Sequence, residues 1–161
     1  MFRVIYFKKN EPILFAVEEL SRLLEKAGIE SCSQLVEDSI DGVLDDHQIL
    51  LITRERYQSL SIDSKLSVDL TLDGYSIVKQ GHNTWIIGEE PRSVLYGVYK
   101  YCEMVLGYRW TQLDQEEIVP ALLQEQEELS TFNPTFERRG NIIETIDDLS
   151  LIHISEPTRP Y

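Results

Sequence analysis

The sequence lacks the features that would assign its chemistry at once. Two cysteines, Cys32 and Cys102, occur in 161 residues, and their separation fits no CxxC pair, so two buried or free thiols are expected. No stretch approaches the ~18 apolar residues that a membrane-spanning helix needs. The start, MFRVIYFKKNEPILF, has no long apolar run and no small-residue cleavage site, so no signal peptide is predicted and the cytoplasm is the expected compartment.

Positive charge is also scarce. The chain has 15 Lys and Arg against 28 Asp and Glu, a formal net charge of −13. Binding to nucleic acid through phosphates needs a basic surface, so nucleic acid is not an expected partner. The same deficit argues against an anionic membrane surface. The acidity itself favours solubility and identifies no partner.

The motifs that carry common chemistries are missing as well. The sequence has no GxGxxG or GxxxxGK[ST] phosphate loop, no GxSxG nucleophile turn and no HExxH metal motif. His47, His82 and His153 stand apart, so surface or turn positions are expected, and no metal or cofactor is predicted. Carboxylates such as Glu89 and Glu90 pair often, which is typical of a solvated surface. No catalytic residue is therefore predicted.

Two amphipathic helices are clear in the pattern. In the first, apolar residues recur at helical spacing between Asn10, a candidate N-cap, and Gly28, a candidate C-terminal stop. Its charged face should be solvated, with pairs such as Arg22 and Glu18. The second begins at Pro91 and ends before Gly107, and an interior glycine, Gly97, indicates a close approach to a sheet.

Short β-branched and aromatic runs predict the strands. These runs are FRVIYF, SCSQLVED, HQILLITRE, DGYSIVKQ, NTWIIGEE and a last short strand within GYRWTQLDQEEIVP. The fourth and fifth meet around Gly81, His82 and Asn83, which is a hairpin signal. The fold class is α+β: one mixed sheet of about five or six strands with two helices packed on one face. Residues 121–135 are acidic and polar and resemble a linker.

The aromatic residues around the second helix permit two interpretations. Helical spacing favours core and rim packing, whereas a sugar-stacking surface is the alternative for the set Tyr96, Tyr99, Tyr101, Tyr108 and Trp110.

Three stretches together resemble a known family. They are NTWIIGEEPRSVLYGVYKYCEMVLGYRW, then EEIVP, then NPTFERRGNIIET. Their succession is similar to the N-terminal non-catalytic domain of glycoside hydrolases of the α-glucuronidase and bacterial β-N-acetylhexosaminidase (chitobiase-like) type. The resemblance implies a hexosaminidase domain-2-like α/β unit ahead of a (β/α)₈ barrel, whose first strand follows an F-x-x-R-G entry.

The resemblance also implies a domain plan. Residues 1–120 would form the accessory domain, 121–135 the linker and 136–148 the first strand of a missing barrel. Residues 149–161, LSLIHISEPTRPY, resemble a translated sequencing adapter. The resemblance then implies a truncated, inactive part of a carbohydrate-active hydrolase, packed on its barrel.

Two site residues follow from the resemblance. Arg139, the arginine of the F-x-x-R-G entry, would bind sugar hydroxyls with its planar guanidinium, and Glu144 would line the same site. The continuation NIIETIDD departs from the hexosaminidase pattern, so neither sugar nor linkage is predicted. The alternative is a stand-alone carbohydrate- or protein-binding module.

Overall fold

The computed structural model describes residues 2–7, 10–36, 47–60, 67–112, 115–118 and 129–135. Six strands form one mixed sheet in the order β2-β1-β3-β5-β4-β8. Their bounds are β1 Phe2–Tyr6, β2 Ser31–Leu35, β3 Gln48–Thr53, β4 Tyr75–Gln80, β5 Asn83–Gly88 and β8 Leu129–Phe132. β6 Tyr108–Gln112 and β7 Gln115–Ile118 form a separate two-stranded hairpin.

Parallel and antiparallel pairs divide the sheet. β2, β1, β3 and β5 run parallel to one another, and β4 is antiparallel to both β5 and β8. The hairpin predicted around Gly81 is confirmed, since Gln80 pairs with Asn83. Gly81 has a φ of 60°, as a type II′ turn requires at its first loop position.

Two helices cover one face of the sheet, as the sequence predicts. They are α1 Glu11–Lys26 and α3 Pro91–Tyr101, which continues as a π-helix over Cys102–Leu106. α1 and α3 share one buried cluster with β1, β3 and β5, which includes Leu20, Val98 and Ile49. Burial of these apolar stripes, at roughly 25 cal/mol per Å², is the main force that holds the helices on the sheet.

The opposite face is covered too, by a short helix that the sequence pattern did not resolve. This helix, α2 Arg54–Ser59, places Tyr57 against Trp85 of β5, with ring centroids 5.4 Å apart. β3 is therefore buried on both faces, as its continuous apolar run predicts: Ile49 and Leu51 face α1 and α3, and Leu50 and Ile52 face α2.

The ends of α1 follow the sequence signals. Asn10 Oδ1 accepts a hydrogen bond from Ile13 N at 3.0 Å. Gly28, with a φ of 76°, donates to Glu25 O, and Ile29 donates to Leu24 O, which is the Schellman arrangement.

Replacement of the N-cap tests the contribution of this end. The substitution Asn10→Ala removes the acceptor for Ile13 N and is expected to lower the free energy of unfolding by about 1 kcal/mol. Urea denaturation followed by circular dichroism measures the loss. The matched variant Asn10→Asp keeps an acceptor oxygen, so an equal loss in both variants would contradict the capping role.

Two predictions about the strands are wrong. The segment GYRWTQLDQEEIVP does not add a strand to the sheet but forms the β6–β7 hairpin. The sixth strand is instead Leu129–Phe132, inside the segment expected to be a linker, and it pairs with β4 from Tyr75↔Phe132 to Val78↔Leu129. The segment has a polar composition, which is typical of a linker. An edge strand, however, tolerates polar residues on its outer side, so composition alone does not distinguish the two. Residues 121–128 and 136–161 lie outside the described part of the chain.

Candidate functional site

A crevice opens at the carboxyl ends of β1, β3 and β5. The segments that follow β1 and β3 lead to opposite faces, since α1 packs in one buried cluster and Tyr57 of α2 in the other. In open α/β sheets, such a topological switch point leaves a gap between neighbouring strands, where ligands bind. The fold therefore places its candidate site between β1 and β3.

The crevice encloses about 500 Å³, within the ~300–1,000 Å³ range of small-molecule sites. Apolar side chains from β1, α1 and β3 and polar side chains from β3, α2 and the start of α3 line it together. The lining residues are Phe7, Ile13, Ile52, Thr53, Glu55, Arg56, Ser59, Glu89, Glu90 and Pro91.

A two-pronged ion pair stands at the wall of the crevice. Arg54 and Glu89 directly follow the paired residues Thr53 and Gly88 of β3 and β5, so the strand register sets them side by side. Arg54 Nη2 donates to Glu89 Oε1 at 2.6 Å, and Arg54 Nε lies 2.6 Å from Glu89 Oε2. The ion pair joins α2 to the β5–α3 junction, and Glu89 Oε2 is buried there without a hydrogen-bond partner.

A second ion-pair group holds the start of α3. Arg92 Nε donates to Asp73 Oδ1 at 2.6 Å and lies 3.4 Å from Glu90 Oε2. The hydrogen bond to Asp73, and then its negative charge, raise the pKa of Arg92. The cations Arg54 and Arg92 therefore offset the charge of Glu89 and Glu90 at the crevice.

The aromatic residues after α3 form a second feature, here called the aromatic cluster: Tyr99, Tyr108 and Trp110. Tyr108 stacks on Trp110 with centroids 5.9 Å apart, and Tyr99 meets Trp110 edge-on at 5.4 Å. Tyr108 is fully buried and donates to Leu23 O at 2.7 Å. Trp110 is 41% exposed. The cluster is thus partly core and partly surface, as core and rim packing predicts, and the sugar-stacking alternative stays a prediction.

The charged face of α1 is not wholly solvated, which corrects the sequence interpretation. Arg22 Nε lies 2.9 Å from Glu19 Oε1, and Glu19 is the residue next to the predicted partner Glu18. Glu19 Oε2 also accepts from Tyr99 Oη at 3.1 Å. Glu19 therefore joins α1 to α3.

The sheet brings together two histidines that are far apart in sequence. The rings of His47, which precedes β3, and His82, in the β4–β5 turn, have centroids 5.1 Å apart. Both are exposed, as predicted for surface or turn positions. No group of three or more His, Cys, Asp or Glu side chains within the described ranges has the arrangement of a metal site.

Both cysteines are free thiols, as predicted. Cys102 has no exposed surface, and burial raises the pKa of its thiol to about 12, with a further contribution from Glu19. A thiol in this state is unreactive and belongs to the core.

The structure leaves the two site residues predicted from the resemblance untested. Arg139 and Glu144 lie outside the described residues. No sequence motif marks the crevice, because its polar residues come from separate segments and have no fixed spacing in the sequence. The available signal was positional: Thr53 and Glu89 each stand at the carboxyl end of a buried parallel strand.

Comparison with known proteins identifies the family. Residues 1–101 match the family model of the glycosyl hydrolase family 67 N-terminus. The chain belongs to this family, so the predicted resemblance to an α-glucuronidase N-terminal domain is confirmed.

The chain is also similar to individual proteins, each of which it matches over a small part of that protein's length. Over 65 residues the chain is 31% identical to the probable α-glucuronidase A of Aspergillus terreus, a match covering 40% of this chain and 8% of that protein. Among solved structures, a GH138 enzyme targeting pectin rhamnogalacturonan II is 17% identical with a TM-score of 0.41, covering 64% of this chain and 10% of that one. CpGH84D is 17% identical with a TM-score of 0.37, covering 60% and 16%.

The helices of the described segments were also compared with the length and hydropathy of a membrane span. None of them is long and apolar enough to cross a bilayer.

Proposed function

We propose that this chain is the non-catalytic N-terminal domain of a carbohydrate-active glycoside hydrolase, and that a (β/α)₈ barrel following it binds and cleaves the sugar. The family match over residues 1–101 carries the proposal, because it spans β1 to the end of α3 and so nearly the whole sheet. The chain spans only 8% of the matched α-glucuronidase, so the chemistry of the whole protein belongs to this proposal.

The carboxylates of the domain support a structural role. Glu89, Asp73 and Glu103 are each bound to a cation: Arg54, Arg92 and Lys100 respectively. Glycoside hydrolysis needs two carboxyl groups placed on either side of one bond. Each of these carboxylates instead contacts a cation of the domain itself, in pairs that contribute at most about 1 kcal/mol when exposed.

Contact with the barrel would use the surface after α3. Met104, Trp110 and Ile118 are 37%, 41% and 42% exposed, and all three belong to the π-helix or the β6–β7 hairpin. Apolar surface of this kind is expected where one domain covers another. We further propose that Arg139 and Glu144, at the entry of the barrel, bind sugar hydroxyls there.

The reading frame of the source gene tests this function. Beyond codon 148 the frame is expected to continue into a barrel-length sequence with alternating strand and helix patterns. A stop codon close to that point would contradict the proposal and favour the stand-alone binding module.

An activity assay gives a second test. The chain, incubated with a panel of aryl glycosides that includes aryl glucuronides, is expected to release no aryl alcohol above a heat-killed control. A full-length family 67 enzyme serves as the positive control. Turnover by this chain that persists after repurification would place the catalytic residues inside it and contradict the non-catalytic role.

One observation favours the module as a second candidate. Trp110 is held by two tyrosines that make hydrogen bonds of their own, so its exposed part is a rigid aromatic surface of the type that stacks on sugars. Saturable binding of oligosaccharides that is lost in Trp110→Ala would support this candidate.

A further inference from the structure

We propose that the crevice between β1 and β3 binds a small neutral saccharide. The choice of a saccharide among neutral polar ligands rests on the proposed function, whereas the location and the neutrality rest on the geometry. The crevice lies at the topological switch point, where the carboxyl ends of three parallel strands meet the starts of three helices, α1, α2 and α3.

Charge disfavours an anionic ligand. Glu89 Oε1 accepts a hydrogen bond from Arg54 Nη2, whereas Glu89 Oε2 lies 2.6 Å from Arg54 Nε but is buried without a hydrogen-bond partner. Glu90 lies 3.4 Å from Arg92, whose shorter contact is with Asp73. The other two charged side chains of the lining, Glu55 and Arg56, have opposite signs. Four carboxylates, with Asp73 included, therefore face three guanidinium groups around the crevice, so the site has no positive excess with which to hold an anion.

Phosphate ligands are disfavoured for a further reason. The first turn of a helix binds phosphate through its backbone N–H groups, but here a carboxylate residue, Glu90, stands directly before α3, and Ser93 N donates to Glu90 O. At the start of α1, Ile13 N donates to Asn10 Oδ1. These donors are already used, and the glutamates repel a phosphate.

The lining has the two properties that sugar recognition needs. Hydroxyl, carboxylate and guanidinium groups of Thr53, Glu55 and Arg56 supply both acceptors and donors, which match adjacent sugar hydroxyls. Arg56 is oriented by Ser59, since its Nη1 lies 3.4 Å from Ser59 Oγ. Phe7, which keeps a small exposed part at the crevice, offers an apolar surface to the C–H face of a pyranose.

Nuclear magnetic resonance titration of the full 161-residue chain tests the proposal. The probes are D-glucose and D-xylose, with D-glucuronate and glucose 6-phosphate as charged counterparts. Saturable amide shifts are expected for the neutral sugars at residues 53–59 and 88–90, with a Kd of about 1–10 mM, as suits a ligand of this size. The charged sugars should bind at least about tenfold more weakly.

Two variants and a control sharpen the test. Thr53→Val removes the hydroxyl and keeps the β-branched shape, so it should weaken binding by about tenfold. Ser59→Trp places a large side chain at an exposed position on the crevice wall and should abolish binding. Thr71→Val makes the same substitution as Thr53→Val at an exposed position outside the lining and should leave binding unchanged.

Several outcomes would overturn the proposal. These are an absence of saturable shifts with either neutral sugar up to about 100 mM, roughly ten times the expected Kd, shifts confined to residues 108–118, or equal binding of the charged sugars. Shifts at 108–118 would assign sugar binding to the aromatic cluster instead. The gene frame beyond codon 148 is read independently, so either proposal can fail while the other stands.

Discussion

Adding one methyl group at Gly97 is expected to destabilise the domain, although alanine is the better helix former by about 1 kcal/mol. A Cβ at this position would lie 2.5 Å from Ile86 Cγ2, and Ile86 is fully buried on β5. Overpacking of a filled core costs about 1–3 kcal/mol, so Gly97→Ala should lower the free energy of unfolding by about 1 kcal/mol and Gly97→Val by about 3 kcal/mol. Guanidinium denaturation measures both.

A pair of background variants isolates the contact. Ile86→Ala removes Cγ2, so in that background Gly97→Ala should cost nothing or stabilise the protein. Ile86→Val keeps Cγ2, and the cost should persist. Equal effects of Gly97→Ala in the two backgrounds would show that the helix does not approach β5 as described, because only contacting residues couple in a double-mutant cycle.

Alkaline pH is expected to unfold the protein through buried acids on α3. Burial raises the pKa of Cys102 from 9.0 to about 12 and raises that of Tyr101 above its ordinary 10.0. Above pH 9 the unfolded chain loses the Cys102 proton and the folded chain keeps it, so stability is full below pH 9 and falls as pH rises. Each group contributes about 1.4 kcal/mol per pH unit, and Cys102 alone about 4 kcal/mol by about pH 12.

The contributions of Cys102 and Tyr101 can be distinguished by the pH at which each begins to lower the stability. Cys102→Ala should remove the part of the decline that starts near pH 9. Tyr101→Phe should reduce the part that starts near pH 10, to which Tyr75 also contributes because burial raises its pKa. Denaturant midpoints measured at half-unit steps from about pH 8 to about pH 11 give the slopes. Slopes that match the wild type in both variants would show that these side chains titrate alike in the folded and unfolded chains.

Much of the fold could be predicted because local signals agreed with tertiary packing. Asn10, Gly28 and Gly107 mark the ends of their helices, and Gly97 marks the close approach of α3 to β5. The continuous apolar run of β3 indicated burial on both faces. In each case one residue's conformational or packing preference decides the local structure.

What could not be predicted depends on contacts between distant segments. β8 is only four residues long and lies in an otherwise polar segment, so pairing with β4 is what makes it a strand. Glu19 lies on a helix face of regular charge pattern, yet its contact with Tyr99 needs the position of α3. The crevice likewise exists only once β1, β3 and β5 stand side by side, because no single segment contains its lining.

The pairing of β8 with β4 determines where the domain can be truncated. Truncation at residue 120, the predicted end of the domain, would remove β8 and leave the outer N–H and C=O groups of β4 without their partners. It would also remove Asn133, whose side chain accepts from Thr71 N and donates to Asp69 O beside the same edge. An uncovered edge strand is a template for pairing with another chain. Residues downstream of the family match at 1–101 therefore protect this domain against self-association.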